Sequence, residues 1–211
     1  MSSTYAGTKE FRDLLFDRDA EAGMTFLRGH LLVEQALATI IELRGERAGA
    51  FLDRASFSTK LSVCDAFELL EAELVTAIRL VNQERNRLAH RLDAVMTLDR
   101  VSVLVQKLPA RIRAGVEDVV GLRRQPSPVH VQSPTVSDML MALFLVLAIG
   151  LGGVIQRMRY EAEHSGKLDS YKWACAIAEI QQTGATPEGI RESLELPLPP
   201  DPADALGELF S

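Results

Sequence analysis

Arg85, Asn86 and His90 stand in one short run, Arg85-Asn86-Arg87-Leu88-Ala89-His90. A histidine titrates near neutrality and can take a proton from a 2′-hydroxyl or give one to a leaving oxygen. A guanidinium can hold a phosphate and offset the charge that builds on it in the transition state. An amide can position either group. The chemistry open to such a trio is cleavage of RNA without a metal.

Geometry on a helix refines the idea. Asn86 and His90 are i, i+4 and share a face, whereas Arg85 sits about 100° from Asn86 and reaches that face only through its length. One copy makes a thin active site, and two copies brought together by a twofold axis make a fuller one. The Arg-x4-His pattern alone is not specific, because Arg159 to His164 repeats it and Arg124 to His130 matches it loosely. The first copy is set apart by Asn86 after Arg85, by Leu88-Ala89 before His90, and by a long helix beneath it. The bland alternative is structural: Arg85 pairs with Glu34 or Glu84, and His90 braces neighbouring helices. His30 reads as a core or interface residue, His130 falls in a proline-rich linker, and His164 ends a helix where a cation suits the dipole.

The elements that must position these residues are helical throughout, and alternating strand patterns are nearly absent. The fold class expected is all-α. Phe11, Leu14 and Leu15 predict a short amphipathic helix, and a second helix runs from about Ala22 to Leu43, with Gly45 as its stop signal. Gly45 to Ala55 reads as a loop. Ser56 or Ser58 then caps a third helix reaching about Leu70. The fourth spans about Ala72 to Arg91, with Leu74, Ile78, Val81, Arg85, Leu88 and Leu92 on one stripe.

Further helices are expected over 98–108 with Thr97 as cap, 110–122, 136–163 and 169–182, with Thr186-Pro187-Glu188 starting another. The organisation read from these signals is bundle helices over 1–122, including the Arg85–His90 helix, and a proline-rich linker over 123–134. Helices completing the same core follow over 135–195, and then a flexible acidic proline-rich tail over 196–211.

Composition bounds the rest. The chain has 211 residues, 47% of them hydrophobic and 25% charged, which suits one globular core and argues against disorder throughout. A net charge of −6 argues against general affinity for nucleic acid, yet residues 79–124 carry +5 and the remainder −11. Arg79, Arg87 and Arg91 are therefore candidate nucleic-acid contacts, unless they are solvated helix faces with partners inside the molecule. Cys64 and Cys175 form no CxxC and no Cys/His cluster, so two buried thiols in a reducing cytoplasm are expected, with no metal and no cofactor. Met139 to Ile155 is uncharged and 17 residues long, at the lower edge of a membrane span. Flanking Asp138, Arg157 and Arg159, with Gly150, Gly152 and Gly153, favour a buried core helix, and no membrane partner is expected on that reading. No signal peptide is expected at the start.

Phe57-Ser-Thr-Lys-Leu61, then about two dozen residues, then Arg85 to His90, resembles the mannitol-repressor-like branch of the HEPN superfamily. Phe26 to Leu37 (FLRGHLLVEQAL) and the apolar helix from Asp138 resemble the same branch, so that the likeness covers roughly residues 20–165. The resemblance implies a HEPN-like antiparallel helical bundle with extra C-terminal helices, commonly a homodimer. It also implies metal-independent endoribonuclease chemistry of the toxin or defence type, with Arg85, Asn86 and His90 as catalytic residues and RNA as substrate. An antitoxin or regulatory protein is the partner that would accompany it. One toxin form of the motif carries tyrosine two residues after the histidine, and here that position is Leu92. The mannitol-repressor-like branch is associated with regulation, which makes a non-catalytic transcriptional or regulatory protein the alternative, although no DNA-reading helix-turn-helix is evident.

Overall fold

The fold was read from a computed structural model, which describes residues 22–45, 48–90, 95–122, 134–181 and 184–201. Among them every regular element is a helix, and the protein is all-α. The order is α1 (Ala22–Arg44), α2 (Gly49–Leu52), α3 (Phe57–Ala66), α4 (Ala72–Ala89), α5 (Leu98–Lys107), α6 (Ala110–Leu122), α7 (Val136–Glu163), α8 (Ser165–Gln181) and α9 (Pro187–Ser193). The helix expected around Phe11 to Leu15, most of the linker and the end of the tail lie outside the described residues.

The centre of the bundle is the pairing of α1 with α7, against which α3, α4, α5 and α6 pack. Residues from both sides of the linker join in one core, with Phe26, Val33, Leu37 and Ile40 meeting Leu140, Phe144, Leu147 and Leu151. Phe26 and Phe144 cross edge to face at 5.5 Å. Gly29 allows this approach, because a Cβ there would land in the Phe144 ring. Helix α7 is long and apolar enough to cross a membrane by length and composition. In this chain no residue from Val136 to Gln156 is exposed, and 56% of its most apolar stretch is buried inside the protein.

Side-chain caps set several of the helix ends. Ser56, Thr97 and Thr186 accept from the backbone N–H of Thr59, Arg100 and Gly189, each satisfying an orphan donor. Thr135 and Asp138 close a reciprocal capping box at the start of α7. Other boundaries depart from expectation. Helix α3 stops at Ala66 rather than near Leu70, because Glu68 turns left-handed (φ 52°) and Leu69 N–H donates to the Cys64 carbonyl. Within the expected loop, Gly49–Leu52 forms one short helix that buries Leu52. Helix α8 begins at Ser165, four residues before Asp169, running on from His164 after α7.

The start of the tail is seated on the bundle. Glu195 is left-handed (φ 49°), Leu196 N–H donates to the Arg191 carbonyl, and the Leu196 side chain is buried. Tyr160 and Arg191 both donate to the Pro197 carbonyl. Only residues up to 201 are described, so the rest of the expected flexible stretch lies beyond them.

Candidate functional site at the end of helix α4

Helix α4 begins without a side-chain cap, buries Leu74, Val75, Ala77, Ile78 and Val81, and ends at Ala89. Its last turns are mostly polar, though Leu88 still packs against the core and Glu84 is buried. His90 is the C-cap, its backbone N–H donating to the Asn86 carbonyl at 3.1 Å. Arg85, Asn86, Arg87 and His90 are all exposed. Asn86 and His90 thus leave one face of the same helix end, as the i, i+4 spacing requires. Arg85 starts from another face and turns back, its Nη1 donating to Asn86 Oδ1 at 3.3 Å.

The structural pairings weighed for Arg85 are not made. Glu34 pairs with Lys60 at 2.8 Å, and Glu84 pairs with Arg87 at 3.2 Å. No described carboxylate reaches Arg85, and no described residue hydrogen-bonds the His90 imidazole. The other nucleic-acid candidates differ. Arg79 is held by Asp65 at 3.1 Å and Arg87 by Glu84, both guanidiniums being solvent-exposed, while Arg91 lies outside the described residues. The Arg79–Asp65 pair is exposed and contributes little to stability, so a phosphate can compete for Arg79, whereas Arg87 is paired with a carboxylate that is itself buried.

Behind Arg85 the structure assembles a second group that periodicity did not reveal. His30 is 4% exposed, and its Nε2 lies 3.2 Å from Asn82 Oδ1. With the amide oxygen as acceptor, Nε2 is the nitrogen carrying hydrogen. The ring stacks on Phe57 at 4.2 Å. Burial pushes the His30 pKa down and the Arg85 charge adds to this, outweighing the Asn82 hydrogen bond and the Glu34 charge. The imidazole is therefore neutral at pH 7, a satisfied internal histidine rather than an exchangeable acid.

The segments singled out for their wording meet here. Phe26 to Leu37 supplies His30 and Glu34, Phe57 to Leu61 supplies Phe57 and Lys60, and α4 supplies Asn82 and Arg85. The signal that could have found this cluster was His30 and Glu34 at i, i+4, with Asn82 one turn before Arg85. Among the described residues no group of three or more His, Cys, Asp or Glu is placed to hold a metal ion. Cys64 is fully buried in the core, whereas Cys175 is only partly buried, against the expectation of two buried thiols. His164 does end a helix, its Nδ1 lying 3.0 Å from the Tyr160 carbonyl.

No protein-family model matches this chain, and neither a curated protein nor a solved structure does.

Proposed function

We propose that this protein is a HEPN-like RNA-binding protein and metal-independent endoribonuclease that works at the C-terminal end of α4. The observation that carries the reading is the state of two side chains. His90 is an exposed imidazole with no described partner, and Arg85 is an exposed guanidinium with no described carboxylate. Among the described residues nothing hydrogen-bonds the His90 imidazole and Arg85 donates only to Asn86, so both side chains are open to a ligand. In the reaction the 2′-oxygen bonds to phosphorus as the P–O5′ bond breaks, giving a 2′,3′-cyclic phosphate and a 5′-hydroxyl. His90 takes the 2′-proton or supplies one to the 5′-oxygen, Arg85 clamps the phosphate, and Asn86 steers the guanidinium. A homodimer would bring a second His90 for the complementary proton step.

The test is incubation of the chain with single-stranded RNA in EDTA, with the product ends identified. Cyclic phosphate ends that disappear in His90→Ala are the expected result. Cleavage unchanged by that substitution removes the enzyme reading. A non-catalytic regulator using the same face is favoured by one observation, that Arg79 and Arg87 already have carboxylate partners. It gives RNA or protein binding with no turnover.

A further inference from the structure

Helices α4 and α5 leave a groove between them that the proposed site does not use. Its α4 wall is Leu80, Gln83, Glu84 and Arg87, at i, i+3, i+4 and i+7, and its α5 wall includes Arg100, Val103 and Lys107. The cavity holds about 220 Å³, below the range of drug-sized pockets and suited to a single heterocyclic ring system. Leu80, Val103 and Leu104 give it apolar lining, Leu104 being buried and Val103 48% exposed. Arg87, Arg100 and Lys107 line it together with the carboxylates of Glu84 and Asp99.

Glu84 is the group that needs explaining. It is only 8% exposed, yet it sits on an otherwise polar stretch of helix. One oxygen, Oε2, accepts from Arg87 Nη1 at 3.2 Å, and Oε1 has no hydrogen-bond partner among the described residues. An ionised carboxylate can accept about four hydrogen bonds, so Oε1 offers acceptor capacity that water or a ligand in the groove can use.

We infer that this groove is a nucleobase subsite for guanine, read by Glu84 and flanked by Arg87 and Lys107 for the attached phosphate. Guanine presents two adjacent donors, N1–H and the N2 amino group, on the edge opposite its imidazole ring. A carboxylate accepts both, and it meets no such paired donors on adenine, cytosine or uracil. The ring lies on Val103, and its sugar-phosphate emerges beside Arg87, one turn from His90 on α4. The subsite rests on the reading of this helix end as an RNA site for its choice of ligand, and it adds substrate preference to that reading.

The test uses the full chain titrated with GMP, AMP, CMP and UMP, followed by amide chemical shifts and by calorimetry. GMP is expected to bind at least roughly tenfold more tightly than the others, with shifts centred on Glu84, Arg87 and Val103. Glu84→Gln replaces an acceptor by a donor and is expected to abolish the preference. Val103→Trp fills the groove from an exposed position and is expected to abolish GMP binding without unfolding. Equal affinity for the four nucleotides, or GMP binding unchanged in both variants, overturns the subsite. RNA cleaved with no GMP preference overturns it while leaving the nuclease standing. GMP bound selectively by a chain that never cuts RNA supports the subsite and removes the nuclease.

Discussion

His30 Nε2 and Asn82 Oδ1 are 3.2 Å apart, a polar clasp between α1 and α4 made one turn before Arg85. The clasp fixes how α4 lies on α1, and so where the polar end of α4 emerges. It is closed on one side by Phe57 and faces the charges of Arg85 and Glu34.

Its first consequence concerns pH. Unfolded, His30 takes up a proton near 6.5, and folded only at lower pH, because burial and Arg85 disfavour the cation. Between those two values the unfolded chain holds more protons, so the stability is complete above about pH 6.5 and falls as pH drops below it. Urea midpoints at about pH 7.5 and about pH 5.5 should show this loss, and His30→Gln should reduce it. An equal loss in both proteins would remove His30 from the account.

The α1–α7 crossing gives a second expectation. Gly29→Ala places a methyl group in the Phe144 ring, and both flanking helices are fixed by the Phe26–Phe144 contact. Overpacking of this kind costs about 1–3 kcal/mol, and the lower thermal midpoint should reflect it. Phe144→Leu in the alanine background should recover part of the loss, because a smaller side chain makes room.

Cysteine labelling separates the two thiols. Burial pushes the Cys64 thiol up to about 11, and none of its surface reaches solvent. Thiolate is the reactive form, so Cys64 should resist a disulfide reagent until the chain unfolds. The partly exposed Cys175 should react first, in the native protein. Two thiols released at one rate under native conditions would contradict this packing.

What could be read from the sequence follows from where each feature keeps its cause. Ser56, Thr97 and Thr186 carry their caps in their own side chains, so those helix starts were visible locally. The end of α3 was not, because Glu68 adopts the left-handed turn that glycine usually marks. The shared face of Asn86 and His90 follows from helical period alone. That Arg85 meets Asn86, while Glu34 pairs with Lys60 and Glu84 with Arg87, is set by how the helices pack and is not visible in the local sequence. The His30–Asn82 clasp spans 52 residues and exists only once α1 and α4 cross.

The site itself makes a claim that binding and rate can test separately. If His90 moves protons and Arg85 holds phosphate, His90→Ala should lower kcat on an RNA oligonucleotide by roughly 10²-fold or more with little change in Kd. Arg85→Ala should weaken binding across sequences and reduce the salt dependence of Kd by about one counterion. Asn86→Ala tests the link between them. The amide now draws the guanidinium round α4 towards His90's face, at 3.3 Å from Arg85 Nη1. Without it Arg85 stays charged and exposed but loses its aim, so kcat should fall while the salt dependence persists. A structural asparagine would instead lower the thermal midpoint and leave kcat per folded molecule unchanged. If all three variants bind and cut as the parent does, the end of α4 is an ordinary solvated helix terminus and the activity lies elsewhere.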